Sequence, residues 1–186
     1  MVAAAVVVSA ALLSSGGGGG GGGKSATASN ASYGTIPSWL PKPKDQVGRV
    51  AAASAVRPWL AIEGDTVSIL LAHARAMVTT VGPVVPEEGQ FPVPATTPCS
   101  FTVTFTAATR PIALSGASFT ILDELSHLHH PRVTAAGGGP IPRSVAPGQT
   151  VSLTVSDVLP TGNGQLRWAP EGPKPIVSWD FDVEID

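Results

Sequence analysis

The densest group of side chains that could do chemistry lies between Asp123 and Pro131, where the chain reads Asp-Glu-Leu-Ser-His-Leu-His-His-Pro. Three of the four histidines fall here, at His127, His129 and His130. Alternate side chains of an extended segment project to the same side, so His127 and His129 are expected to face one way. Two imidazoles at this spacing can chelate a metal ion.

Further ligands are near enough in the sequence to complete such a site. Asp123, Glu124, His130 or His73 would serve, and imidazole combined with carboxylate suits Zn²⁺ or Cu²⁺. The candidate metal site is therefore His127, His129, His130 and Asp123. The alternative interpretation is a polar crossing between two strands, with exposed imidazoles and with the following proline ending the segment.

A second group of ligand-type side chains is the acidic row Asp180, Asp182, Glu184 and Asp186. Carboxylate oxygens are the ligands that Ca²⁺ prefers. Alternate positions of one strand place them in a line about 6.6 Å apart, not around a point. The row therefore predicts a solvated outer face, whose like charges discourage pairing with another chain.

The chain has one cysteine, Cys99, so no disulfide can form within it. Cys99 has the same parity as Phe101, Val103 and Phe105, and is expected to point inward as a small buried hydrophobe. A reactive or intermolecular thiol is the alternative.

Common catalytic signatures are missing from the sequence. It contains no Gly-x-Ser-x-Gly elbow and no His-Glu-x-x-His motif. Gly23-Lys24-Ser25 ends like a phosphate-binding loop, but no strand is predicted before it and no helix after it. We predict that the chain is not an enzyme. Hydrolysis by His127 with Asp123 is the remaining enzymatic interpretation.

The elements that position these residues are short strands. Phe101, Val103 and Phe105 alternate with Ser and Thr, and Val151, Leu153 and Val155 do the same. Further strands are predicted over residues 59–62, 67–71, 73–81, 119–122, 129–134, 166–168 and 176–185. Turn residues separate them every 8 to 12 positions, a pattern typical of an immunoglobulin-like antiparallel β-sandwich.

Three local predictions accompany this pattern. Glu63 to Thr66 is expected to form a hairpin turn, and Gly82-Pro83 to end the strand before it. Residues 69–77 also contain helix formers, but the flanking β-branched residues favour a strand.

Chain length and charge limit the size of the folded domain and the partners that it is expected to have. The 186 residues have a net charge of -2 and only 13% charged residues. No basic stripe is present, so nucleic acid is not an expected partner. Without its low-complexity start the chain keeps about 130 residues, enough for a core of its own.

The N-terminal region has the composition of an export segment and a tether. Val2 to Leu13 is almost entirely small and apolar, too short to span a bilayer and typical of a signal peptide. No Lys or Arg precedes it, which favours a true start upstream of Met1. Eight glycines follow it, Gly16 to Gly23. We divide the chain into a signal peptide or anchor (1–15), a disordered Gly/Ser/Pro-rich linker (16–54) and the sandwich (55–186).

Several of these segments together resemble the immunoglobulin-like domains of bacterial lipoproteins and secreted actinobacterial antigens. They are the strand Cys99 to Phe105, the strand Phe119 to Asp123, the Pro147-Gly148 turn before Val151 and the terminal apolar strand. The Ala-Leu-Leu-Ser-Ser-Gly run is similar to a lipoprotein box but lacks the cysteine that takes the lipid. The resemblance implies the fold and export from the cell.

The sequence therefore predicts a secreted or extracytoplasmic, non-enzymatic module that binds a ligand or has a structural role. The expected partner is an unidentified protein or a cell-wall ligand, and Trp39 in the Pro-rich arm is one contact candidate. Membrane contact is expected only through an uncleaved N-terminal segment. The alternative is an extracytoplasmic metal-binding protein that uses residues 127–130.

Overall fold

The computed structural model describes residues 50–85, 92 and 94–184, which form a two-layer β-sandwich. The strands are β1 (Ala51–Ser54), β2 (Trp59–Ile62), β3 (Thr66–Leu70), β4 (Arg75–Val84), β5 (Thr96–Thr106), β6 (Ile112–Ala113), β7 (Phe119–Asp123), β8 (Leu128–His129), β9 (Arg132–Ala135), β10 (Ser144–Val145), β11 (Val151–Pro160), β12 (Gly162–Trp168) and β13 (Val177–Val183). One 3₁₀ turn, Gly116–Ser118, precedes β7. The prediction of an all-β sandwich is confirmed.

Two sheets make the sandwich. The first has six strands in the order β1-β3-β4-β5-β11-β9, and the second has five in the order β2-β13-β12-β7-β8. A short ladder of β6 and β10 stands apart from both. Strands β7 and β8 carry the histidine segment, and β11 of the six-stranded sheet approaches it.

The prediction that all strands pair antiparallel is wrong at the start of the domain. Strand β1 runs parallel to β3, and β2 runs parallel to β13. The chain passes from one sheet to the other between Ser54 and Trp59, so β2 and β3 belong to different sheets. The turn at Glu63 to Thr66 exists, with the Asp65 N–H donating to the Ile62 carbonyl at 3.1 Å. It is not a hairpin, because its two strands do not pair.

Other boundaries also differ from the prediction. Ala51–Ser54, assigned to the linker, form strand β1. Strand β4 continues through Gly82-Pro83 to Val84 instead of ending there. The predicted strand 129–134 is divided at Pro131, and its halves, β8 and β9, lie in opposite sheets. Residues 69–77 contain no helix, as expected, but hold the end of β3, a turn and the start of β4.

Aromatic side chains join the two sheets in the core. Phe101 and Phe105 of β5 point inward, as the alternation predicted. The Phe101 ring lies 4.7 Å from that of Phe181 on β13, and the Phe105 ring meets Trp168 on β12 edge-on at 5.1 Å. Such pairs contribute beyond the area that they bury, so they help to set how the sheets pack.

The outer face of the six-stranded sheet carries the Ser and Thr residues of the alternating pattern. Pairing places Thr66, Thr79, Thr104 and Ser152 in one row across four strands. Two pairs in this row are hydrogen bonded through their hydroxyls, Thr66 with Thr79 at 2.7 Å and Thr104 with Ser152 at 3.0 Å. The prediction of half-buried strands with polar outer faces is confirmed here.

The last strand has the predicted two faces over its described part. Val177, Trp179, Phe181 and Val183 are buried. On the other face Asp180 is half-buried, and Asp182 and Glu184 are exposed. Ile185 and Asp186 lie outside the described residues.

Thr80 is an inward-facing exception to the apolar pattern. Its side chain is fully buried in the core, and its hydroxyl finds no hydrogen-bond partner among the described residues. Burying an unpaired hydroxyl is unfavourable. We expect Thr80→Val to raise the free energy of unfolding by about 1 kcal/mol, measured by urea denaturation. Thr102→Val, at an exposed position of β5, is the control and should change it little; equal effects would contradict the prediction.

The predicted export segment, the glycine-rich tether and Trp39 lie outside the described residues. Within residues 50–85, 92 and 94–184, no helix has the length and apolar character needed to span a membrane.

Candidate functional site

Asp123 organises the histidine segment. It ends β7, and its carboxylate is almost buried, with a side-chain exposure of 5%. The Asp123 Oδ1 accepts the backbone N–H of His127 at 2.8 Å. The backbone adds two hydrogen bonds, from the Asp123 N–H to the His127 carbonyl at 3.1 Å and from the Ser126 N–H to the Asp123 carbonyl at 3.0 Å. The turn from β7 to β8 is thus closed around this carboxylate.

Two imidazoles meet the other carboxylate oxygen. His129 Nε2 lies 3.0 Å from Asp123 Oδ2, and His127 Nδ1 lies 3.4 Å from the same atom. The expectation that His127 and His129 face one way is therefore confirmed. Of the two, His127 is largely exposed at 71%, whereas His129 is exposed by 24%.

This arrangement lowers the pKa of Asp123 below its ordinary value of 3.8. The main cause is the hydrogen bond from the His129 side chain, which stabilises the charged carboxylate. The His127 backbone N–H and the nearby imidazoles act in the same direction, and burial opposes them.

A second carboxylate, Asp157 of β11, approaches the same imidazole from the opposite sheet. Asp157 Oδ2 lies 4.0 Å from His129 Nδ1. His129 therefore has a carboxylate near each ring nitrogen, one in each layer of the sandwich. Asp157 is not among the site residues predicted from the sequence. It could have been found, because Asp157 alternates in register with the inward-facing Leu153, Val155 and Leu159. A carboxylate at an inward position needs a partner.

The remaining candidate ligands do not join this cluster. His130 is exposed and has no hydrogen bond or ion pair to Asp123 among the described residues. His73 lies beside the β3–β4 turn. Glu124 is exposed and its carboxylate lies against Gly162. Across the part of the chain that the structure describes, no three His, Cys, Asp or Glu side chains are arranged to hold a metal ion.

The lowered pKa of Asp123 predicts an acid-dependent stability. The carboxylate stabilises the fold above its unfolded pKa, and this contribution is lost as the pH falls through the lower folded value. We expect Asp123→Asn to lower the melting temperature at about pH 6, and the difference from the native protein to shrink at about pH 2.5. Thermal melts monitored by circular dichroism measure both.

Asp182→Asn is the control for this prediction, because Asp182 is an exposed aspartate of the outer face. It should change the melting temperature little at either pH. A difference for Asp123→Asn that stays constant with pH would show that lost packing, not the charge, is responsible.

Cys99 points inward, as predicted, and is 3% exposed. Its thiol contacts the Thr97 carbonyl oxygen at 3.5 Å. Burial raises the pKa of Cys99 to about 11, and the nearby Asp157 acts in the same direction. The thiol is therefore almost entirely protonated at neutral pH, and the thiolate is the nucleophilic form.

We expect Cys99 to react with iodoacetamide at about pH 8 at least a hundredfold more slowly in the folded protein than in denaturant. Mass spectrometry of the alkylated protein measures the two rates. Similar rates in the two states would favour the reactive-thiol alternative.

Comparison with known proteins gives weak similarities. No protein-family model matches the sequence, and no curated protein matches it. The secreted protein MPT63 of Mycobacterium tuberculosis is 14% identical at a TM-score of 0.45, over 67% of this chain and 98% of that one. A candidate lipoprotein of Bacillus subtilis is 16% identical at a TM-score of 0.38, over 58% of this chain and 36% of that one. At these values neither similarity identifies the function of this chain.

Proposed function

We propose that this chain is an exported, non-enzymatic protein whose immunoglobulin-like sandwich binds a protein or a cell-wall ligand outside the cytoplasm. Its short apolar N-terminal run supports export. The two-layer sandwich of short strands supports the immunoglobulin-like assignment. The observation that carries the binding role is the apolar edge of the five-stranded sheet, formed by Trp59, Leu60 and Ile62 of β2.

This apolar edge is open to solvent. Trp59 is 39% exposed, Leu60 54% and Ile62 60%. Leu60 and Ile62 lie on the outer face, opposite Ser178 and Asp180 of β13. Trp59 has the opposite parity, since it pairs with the buried Val177, and it reaches solvent at the rim of the edge. Exposed apolar side chains that share a face, here Leu60 and Ile62, mark interaction sites more often than scattered ones do.

The backbone hydrogen bonds of β2 disfavour pairing with a strand of a partner, so binding is expected through the side chains. The Trp59 N–H donates to the Ile176 carbonyl just before β13, and the Glu63 N–H donates to the Asp180 carbonyl within it. Leu60 and Ile62 therefore direct their backbone groups toward the open edge. Asp65 pairs with both backbone groups of Ile62 at this edge. It accepts the Ile62 N–H at 3.3 Å and donates its own N–H to the Ile62 carbonyl at 3.1 Å. Within β2, Leu60 is left with backbone groups that have no partner among the described residues, and one residue is too few to pair with another strand.

Binding is tested with purified cell walls of the source organism and with crosslinking on intact cells. The double variant Leu60→Lys with Ile62→Lys should bind at least about tenfold more weakly than the native chain. Val81→Lys with Val158→Lys is the matched control, since both valines are 55% exposed on the other sheet. If the native chain and the two double variants bind equally well, the apolar edge is not the binding surface.

Export is tested separately. Fractionation into cytoplasm, membrane and medium, followed by mass spectrometry of the mature N-terminus, should place the protein outside the cytoplasm. Recovery of the uncleaved chain in the cytoplasm alone would reject export, whatever the binding result.

Metal binding is the second candidate function, and it rests on the approach of the His127 and His129 imidazoles to Asp123 Oδ2. The three side chains contact one another and do not surround a common point, so they would have to rearrange to hold an ion. Calorimetric titration with Zn²⁺ and with Cu²⁺ tests it directly. The double variant His127→Ala with His129→Ala should lose metal binding and keep partner binding. Absence of heat at micromolar metal with the native chain would end this candidate.

A further inference from the structure

The turn between β3 and β4 borders an open depression of about 560 Å³. Its walls include Leu70, Leu71, His73, Arg75, Thr109 and Arg110. Two smaller depressions, of about 110 and 270 Å³, adjoin it and share Leu71. No residue of this region belongs to the apolar edge or to the histidine cluster.

The depression is basic in a chain whose net charge is -2. Its lining residues include Arg75, Arg110 and His73 and no aspartate or glutamate. Neither arginine forms an ion pair with any residue that the structure describes. Glu171 lines the two adjoining depressions, and its Oε1 accepts the Ala72 N–H at 3.1 Å.

Backbone contacts hold the two arginine positions together. The Arg75 N–H donates to Thr109 Oγ1 at 2.9 Å, and the Thr109 N–H donates to the Arg75 carbonyl at 2.9 Å. This reciprocal pair ties the segment before Arg110 to the start of β4. The turn itself is closed by the Leu71 N–H, which donates to the Ala74 carbonyl at 2.9 Å. The basic side chains thus project from an ordered frame.

An apolar side chain adjoins the arginines, because Leu70 of β3 pairs directly with Arg75 of β4. Leu70 is 50% exposed, and Leu71 packs partly against the core. Guanidinium groups bind phosphate oxygens with paired hydrogen bonds, and exposed leucine gains from contact with an apolar group. The depression therefore offers a charged and an apolar contact side by side.

We propose that this depression binds a phosphate group carried on an apolar body, with Arg75 and Arg110 contacting the phosphate and Leu70 contacting the body. The ligand is a small phosphate ester or the headgroup region of an anionic lipid, since both have this chemistry. The site shares no residue with the apolar edge, so this proposal and the proposed function are tested independently.

The test is calorimetric titration of the full chain with hexyl phosphate, inorganic phosphate and hexanol. Hexyl phosphate should bind saturably, at least about tenfold more tightly than inorganic phosphate, and more weakly as salt is raised. Arg75→Gln with Arg110→Gln should reduce its affinity at least tenfold. Leu70→Ser should abolish the advantage over inorganic phosphate.

Arg132→Gln with Arg143→Gln is the matched control, because both arginines are exposed and lie outside the depression. Thermal melts of every variant establish that it is folded, and each single arginine variant is measured beside the double one. Equal affinity of the two double variants, or hexanol binding as tightly as hexyl phosphate, would overturn the proposal.

Flotation with phosphatidylglycerol vesicles separates the two sources of the phosphate. If the native chain floats with the vesicles and the Arg75→Gln, Arg110→Gln double variant does not, the phosphate group belongs to a lipid headgroup. Saturable binding of hexyl phosphate without flotation assigns a soluble ester.

Discussion

Trp168→Ala is expected to lower the free energy of unfolding by about 3–5 kcal/mol. The Trp168 side chain is 1% exposed and lies between Phe105, at 5.1 Å, and Phe119, at 6.3 Å. Removing it leaves a cavity where the two sheets meet. Because domains of this size are stable by about 5–15 kcal/mol, the variant should lose a large fraction of its free energy of unfolding, as measured by urea denaturation and near-ultraviolet circular dichroism.

Two variants control this experiment. Trp59→Ala removes a 39% exposed tryptophan and should cost clearly less than Trp168→Ala, because less apolar area is buried there and no enclosed cavity is left. Trp168→Phe keeps an aromatic ring and removes an indole N–H that has no partner among the described residues, so it should cost less than the alanine variant. A loss for Trp59→Ala as large as that for Trp168→Ala would contradict the packing account.

Gly164→Ala should lower the free energy of unfolding by about 1–3 kcal/mol, because no space exists for the added methyl group. Gly164 lies on β12 beneath the Phe181 ring. A Cβ there would lie 2.7 Å from Phe181 Cε2 and 3.1 Å from the Leu122 carbonyl oxygen. Phe181 is itself packed against Phe101, so it cannot move aside freely. Urea denaturation measures the loss.

Gly139→Ala is the matched control for Gly164→Ala. No heavy atom lies within 4 Å of a Cβ at Gly139, and its backbone is not in the left-handed region. We expect little loss of stability there. If both alanines cost the same, the effect at Gly164 would come from the backbone and not from contact with Phe181.

The strands could be predicted because their signal is local. Alternation of apolar and polar residues along β5, β11 and β13 depends on which face each side chain takes, and neighbouring residues determine that. The same property placed Cys99 inward and Asp182 outward. It does not identify which strand lies alongside, so β2 and β3 were assigned to one hairpin although they lie in opposite sheets.

The histidine cluster likewise has one feature that local spacing predicts and others that depend on the fold. That His127 and His129 share a side follows from their spacing, and the structure places both against Asp123. That His130 stays outside depends on the chain leaving the sheet at Pro131. The approach of Asp157 depends on the packing of the two sheets, which no local pattern contains.

By itself the sequence determined the all-β class, the inward and outward faces of the main strands and the shared side of His127 and His129. Only the tertiary structure decided the parallel pairing of the first strands, the apolar edge of β2 and the placement of Arg75 and Arg110 at one depression. The physical reason is that side-chain periodicity is set within a few residues, whereas these features join segments distant in the chain. Their geometry is set by sheet packing and backbone hydrogen bonds between loops, which form only in the folded sandwich.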